Sequence, residues 1–171
     1  MLAPATIWLT GLPCSGKTTL ANAVAAALRA KHHGALILDG DEVRKTLSAD
    51  LGFDAMSRDE NVRRVAAVAA LSTASQLFSL VALVSPHRAA RDAARAHHAE
   101  RGLRFIEVHL AAPLSVCEAR DVKGLYARAR SGKAKDVTGV DAPYEAPLAA
   151  ELTLPHEVPV VSAVERVLAL L

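Results

Sequence analysis

An α/β fold, with a five-stranded and mostly parallel sheet flanked by helices in three layers, is predicted by two observations. A glycine-rich loop joins a short apolar run to an alanine-rich helical stretch near the N-terminus, and apolar runs then alternate with helical patterns along the chain. Strands separated by helices of this length imply parallel pairing through crossovers, with helices on both faces of the sheet. The 171 residues, 51% hydrophobic and 22% charged, suit one compact domain over 1–171 that buries a core without disulfides or metal staples. Only 4% are aromatic, so alanine, leucine and valine must fill most of that core.

The first strand is expected over Ala5 to Thr10. Gly11, Leu12, Pro13, Cys14, Ser15, Gly16, Lys17 and Thr18 follow it as a complete G-x-x-x-x-G-K-[ST] phosphate-binding loop. Its glycines let the backbone turn N–H groups toward phosphate oxygens, and the helix expected over Gly16 to Ala30 adds its positive N-terminal dipole. Lys17 would reach the β and γ phosphates of a nucleoside triphosphate, and the Thr18 hydroxyl would ligate Mg2+. The loop and its strand-to-helix context make the fold class a P-loop NTPase fold. Cys14 reads as a small loop residue or as an oxidisable thiol.

The second strand, Ala35 to Leu38, runs into Asp39, Gly40 and Asp41, with Arg44 one helical turn on. Two carboxylates at a strand end near the loop can orient Mg2+ through water or accept a proton from an attacking hydroxyl. They can equally cap a helix starting near Glu42. A helix over Arg58 to Leu77 places Arg58, Asn61 and Arg64 three residues apart on one face, close to Phe53. That face is either solvated or suited to a planar anion, held by forked guanidinium contacts and stacked on the phenyl ring.

The third strand, Ser79 to Val84, ends in Ser85-Pro86-His87-Arg88. Ser85 is left at the carboxyl edge where ligands are expected, to contact a metal-bound water, accept a phosphoryl group or cap the next helix. Helix Arg88 to Arg101, strand Arg104 to Leu110 and helix Leu114 to Arg120 follow. Asp121 to Pro147 is rich in Gly, Lys and Arg and too polar for a core element, which reads as a flexible lid or a plain surface excursion. A short fifth strand is expected near Val158 to Val161, then a helix over Ala163 to Leu170. His87 shows no partner in the sequence, and His32, His33, His97 and His98 read as surface residues.

The net charge of +2 is too small to argue for nucleic acid and fits an anionic small molecule. No window approaches the roughly 20 apolar residues of a membrane span. No basic region precedes a long apolar segment, so no secretory signal is expected, and Cys14 and Cys117 suggest no disulfide framework. Cytoplasm is the expected location.

Together the motifs resemble the adenylyl-sulfate kinase (APS kinase) family. The strings that carry the likeness are Leu9 to Thr18, Leu38 to Arg44, Leu51-Gly52-Phe53 with Arg58, Asn61, Arg63 and Arg64, and Ser85-Pro86 with Arg88. Glu107-Val108, Pro113-Leu114, Val116-Cys117-Glu118, Arg120-Asp121, Lys123-Gly124-Leu125-Tyr126 and Pro143 to Pro147 extend it, in order, over about residues 7 to 152. The resemblance implies transfer of the γ-phosphoryl of ATP to the 3'-hydroxyl of adenylyl sulfate. It implies Mg2+ as the metal, bound at Thr18 and through water at Asp39, and catalytic roles for Lys17, Asp41 and Asp39. It places the acceptor against Asp41, Arg44, Phe53, Arg58, Asn61, Val84, Ser85, Lys123 and Val137, under a lid of about 121–147.

Ser85 matches a serine traditionally assigned as a phosphorylated intermediate, although direct in-line transfer needs fewer steps. Expected partners are the two nucleotides, with an ATP sulfurylase and a second copy of the chain as candidates. The sequence departs from the family at His87, at Ala90, in the short stretch before the first strand, and at Val137, where the family generally places Phe against the acceptor adenine. The loss of that stacking face predicts weaker acceptor binding. Another small-molecule kinase of this architecture, or a non-catalytic ATP-binding paralogue, would share the loop but has no reason to carry the acceptor set.

Overall fold

The computed structural model describes residues 2–171. Strand β1 (Ala5–Thr10) forms where predicted and lies at the centre of a five-stranded sheet of order β2-β3-β1-β4-β5. Its neighbours are β3 (Phe78–Ala82) and β4 (Arg104–Ala111), with β2 (Ala35–Asp39) and β5 (Leu152–Pro155) at the edges. All four pairings are parallel, so the sheet is wholly rather than mostly parallel.

Alternation along the strands divides the core into two layers. Ala5, Ile7 and Leu9 of β1 and Phe78, Leu80 and Ala82 of β3 pack on α1 (Lys17–Ala30) and α7 (Val160–Leu168). Trp8, Val81 and Leu83 face the opposite way, onto α3 (Ala55–Ala74) and α4 (Arg88–Ala99). The Thr6 hydroxyl, buried on this side, meets Thr73 and His98 Nε2, both at 2.9 Å, and His98 Nδ1 lies 2.8 Å from the Ala94 carbonyl. His98 is therefore a core residue, contrary to the surface position expected for it, because helix spacing turns it inward with Arg91 and Ala94.

The fifth strand falls six residues before its expected start. Pro159 lacks the N–H that a ladder requires but suits the start of a helix, so Val160 and Val161 open α7 instead of pairing. Leu152 and Leu154 pair with β4 at Val108 and Leu110. Three six-residue helices, α2 (Gly40–Lys45), α5 (Leu114–Ala119) and α6 (Leu125–Arg130), join the four longer ones, and α5 leads into the segment expected as a lid. That segment is not devoid of core: Tyr126 and Val137 are buried with Ala112 and Cys117, and Leu12 of the phosphate loop packs against the same cluster. The polar majority of its sequence hid two apolar anchors that acquire neighbours only through folding.

The candidate nucleotide site

The carboxyl ends of the strands open into one cavity of about 1110 Å³. This exceeds the roughly 300–1,000 Å³ usual for a single small ligand, leaving room for two. At one end lies the phosphate loop. Gly11 has φ 153°, and a Cβ there would meet the Leu110 carbonyl oxygen at 2.7 Å. Gly16, at φ 101°, precedes α1 without any side-chain cap, so the first amides of that helix keep their capacity to bind an anion.

Lys17 is almost fully buried. Its Nζ donates to the carbonyls of Gly11 (2.9 Å) and Leu12 (2.6 Å) and to Ser15 Oγ (3.3 Å). Burial lowers its pKa from 10.5 to about 8, with Cys117 and Cys14 opposing the shift before Asp39 and Asp41. A triphosphate would exchange the carbonyl partners for full negative charge and favour the ammonium form.

Beside the lysine, Thr18 Oγ1 donates to Asp39 Oδ2 at 2.6 Å, and Asp39 Oδ1 accepts from the Asp41 amide at 2.9 Å. Asp39 thus serves as the N-cap of α2 with one oxygen and faces the phosphate loop with the other, so the capping role offered by the sequence is the one seen. Asp41 itself pairs with Lys123 of the 121–147 segment, and both side chains are more than half exposed. Exposed pairs of this kind are weak and exchange readily for another partner.

Across the cavity, Phe53 lies under two guanidinium groups, Arg44 at 4.7 Å and Arg58 at 5.8 Å from the ring centroid. Arg44 is held by the carbonyls of Leu51 and Gly52. Arg58 donates to the Phe53 carbonyl at 2.7 Å and to the Asp136 carbonyl at 2.5 Å, tying this wall to the one that carries Val137. Burial, then the neighbouring Arg44 charge, pulls the Arg58 pKa down, a strain that an anionic ligand would relieve. Asn61, Val84, Ser85, Lys123 and Val137 also line the cavity. Arg64 does not: it is clamped by Asp50 at 2.6 Å and Glu60 at 2.9 Å, so helical spacing grouped it with residues that face the cavity without it.

Ser85 is 3% exposed, with φ 40°. Its Oγ accepts from Trp8 Nε1 and donates to Thr10 Oγ1, each at 3.1 Å. Its carbonyl accepts from Arg91 Nη1 at 2.7 Å, while Arg91 also donates to Glu107 Oε1 and to the Glu145 carbonyl, both at 2.7 Å. This buried arginine joins the loop after β3, strand β4 and the end of the 121–147 segment. His87, expected without a partner, has its Nδ1 2.6 Å from Asp59 Oδ1.

Sequence reasoning missed the wall formed by Pro155, His156, Val158 and Pro159, because those residues were placed in or before a strand. It also assigned no role to Arg120, Arg128 and Lys135, which line the cavity from the segment noted for its basic residues. Among the described residues no three His, Cys, Asp or Glu side chains gather into a metal site. No helix among them is long and apolar enough to cross a membrane.

Comparisons with known proteins agree with this geometry. Residues 3–155 match the family model described as adenylylsulphate kinase. The adenylyl-sulfate kinase of Shewanella denitrificans is 54% identical over 151 residues, covering 88% of this chain and 73% of the relative. That of Saccharomyces cerevisiae is 50% identical over 149 residues, covering 87% and 74%. Among solved structures, the Mycobacterium tuberculosis APS kinase in complex with AMPPNP and APS superposes with a TM-score of 0.96 at 40% identity, covering 99% of this chain and 98% of that one.

Proposed function

The chain belongs to the adenylyl-sulfate kinase family, and from that premise we infer how its residues divide the work of moving the γ-phosphoryl of ATP onto the 3'-hydroxyl of adenylyl sulfate. The products are 3'-phosphoadenylyl sulfate and ADP. The acceptor oxygen forms a bond to γ-phosphorus as the bond from phosphorus to the β,γ-bridging oxygen breaks, and the hydroxyl proton leaves to a base. The loop amides and Lys17 hold the donor phosphates and the charge that develops on them. Asp41 orients the acceptor hydroxyl and takes its proton, once the acceptor has displaced Lys123 from it.

Mg2+ is the metal that fits the donor set. Thr18 Oγ1 and Asp39 Oδ2 are hard oxygens side by side at the loop, and Mg2+ characteristically completes its shell with phosphate oxygens and water. Thr18 would hold it directly and Asp39 through water; when bound it supplies neutralisation of the phosphate charge. On the acceptor side, Phe53 stacks on the adenine while Arg44, Arg58 and Asn61 bind the sulfate and phosphate oxygens. Residues 121–147 work as a lid of the same kinase unit, with Lys123 its acceptor contact. Ser85 supports the site through its backbone, since its hydroxyl is already committed to Trp8 and Thr10.

The observation that carries this reading is that a single cavity joins the phosphate loop to a phenyl ring under two guanidinium groups. A coupled ADP-release assay with adenylyl sulfate, gluconate or no acceptor tests it. Adenylyl sulfate should stimulate release and gluconate should not, and Asp41→Ala should cut kcat by at least ~100-fold while ATP still binds. ATP binding without stimulation by adenylyl sulfate would instead favour a regulatory nucleotide-binding module.

A further inference from the structure

We propose that Tyr126 is a positioning residue for the donor site: its hydroxyl holds the phosphate loop in the turn form that presents an amide, rather than a carbonyl, to the nucleotide phosphates. The inference rests on the assignment of the loop as the ATP site. Leu12 to Ser15 form a tight turn closed by the Ser15 amide on the Leu12 carbonyl at 3.2 Å. Pro13 is its second residue and Cys14, with φ 62°, its third. A positive φ at the third position marks a type II turn, whereas the type I turn of the same residues would carry φ near −90° there. The two forms differ by turning over the central peptide, here Pro13–Cys14.

Glycine or asparagine is the ordinary third residue of a type II turn, because a β-carbon is strained at positive φ. Cys14 has that β-carbon, so the turn by itself favours the type I form. Tyr126 opposes the flip. Its ring is 2% exposed, packed with Cys117 and Val137, and its hydroxyl donates to the Pro13 carbonyl at 2.9 Å. The peptide is trans, so fixing the carbonyl on the Tyr126 side leaves the Cys14 N–H on the opposite side. Cys14 lines the cavity and Tyr126 does not. A flipped peptide would aim the negative end of the Pro13 carbonyl at a polyanion.

The same residue couples the two halves of the site. Tyr126 sits in the first turn of α6, whose start is held by Asp121 through the Leu125 amide at 2.7 Å. Lys123, just before that helix, reaches Asp41 on the acceptor side. Lys123 and Tyr126, three residues apart at the start of one short helix, therefore set the acceptor contact beside the group that holds the donor loop.

Tyr126→Phe keeps the packed ring and removes the donor. The test is ADP affinity by titration calorimetry in the presence of Mg2+, KM for each substrate, and a thermal melt. The expected result is a roughly five- to tenfold loss of ADP affinity and rise of KM for ATP, with KM for adenylyl sulfate within about twofold of native; tenfold corresponds to about 1.4 kcal/mol. The double variant Tyr126→Phe/Cys14→Gly should recover most of the lost affinity, because glycine takes the positive φ without strain. Native ADP affinity in Tyr126→Phe, an equal rise in both Michaelis constants, or a loss that Cys14→Gly does not reduce would each overturn the proposal. A native chain that fails to bind ADP would instead remove the assignment of the loop on which it rests.

Discussion

Replacing Val137 by Phe weighs a stacking gain against a packing cost, and the two can be read separately. A second aromatic face on the acceptor adenine is worth about 1–3 kcal/mol on the scale of base stacking. The structure sets the conditions for it. Arg58 bonds the carbonyls of both Phe53 and Asp136, so a ring at 137 faces a partner whose wall is already tied to its own. Val137 is only 3% exposed, however, and shares its cluster with Ala112, Cys117 and Tyr126. Extra volume there costs about 1–3 kcal/mol of folding stability, or a fall of roughly 2–12 °C in Tm for a domain of this size.

The packing cost is carried by free and bound enzyme alike, so it appears in the melt rather than in KM. We expect KM for adenylyl sulfate to fall at least about fivefold, the lower end of the stacking range, at saturating ATP. Most of that gain should vanish in Val137→Phe/Phe53→Ala. An unchanged or higher KM in a variant that melts cooperatively would refute the stacking argument.

Ser85→Ala should retain kcat within about tenfold, because direct transfer needs no hydroxyl there; it should lose roughly 1–3 kcal/mol of stability, since Trp8 Nε1 is left buried without its acceptor. Loss of turnover by three orders of magnitude or more would restore an obligatory phosphoserine. Burial lowers the pKa of His98, and also of His109, below 6.5. The unfolded chain then binds more protons as pH falls, so the stability these neutral imidazoles contribute is complete above about pH 6.5 and is lost as pH drops toward their folded values. Tm should therefore fall between about pH 7 and 5 and fall less steeply in His98→Gln; an unaltered slope in that variant would place the effect elsewhere.

Local patterns predicted whatever local physics could decide. The loop was legible because a run of eight residues carries its own backbone geometry, and β1 because it is apolar at every position apart from two threonines. Asp39 and Asp41 were legible as a strand end, and Arg58 and Asn61 as one helix face. The same spacing also implicated Arg64, since spacing reports a shared face but not which neighbour reaches it first; Asp50 and Glu60 do. His98 looked like any polar residue near a helix end until Thr6 and Thr73 from other elements supplied its partners. The edge strand was misplaced because Val158 to Val161 is apolar and β-branched, while pairing depends on which segment β4 can reach.

The sequence by itself determined the fold class, the triphosphate loop and the residue types for an anionic nucleotide acceptor, because those properties are written in short runs and regular spacings. Only the tertiary structure decided that Arg91 binds three distant segments from within the core, that Asp39 caps a helix while accepting from Thr18 of the phosphate loop, and that Tyr126 reaches that loop from 113 residues away. Those contacts join residues distant along the chain. Their energies depend on burial and mutual orientation, which exist only once the sheet has brought its carboxyl ends to one edge and the 121–147 segment has packed across it.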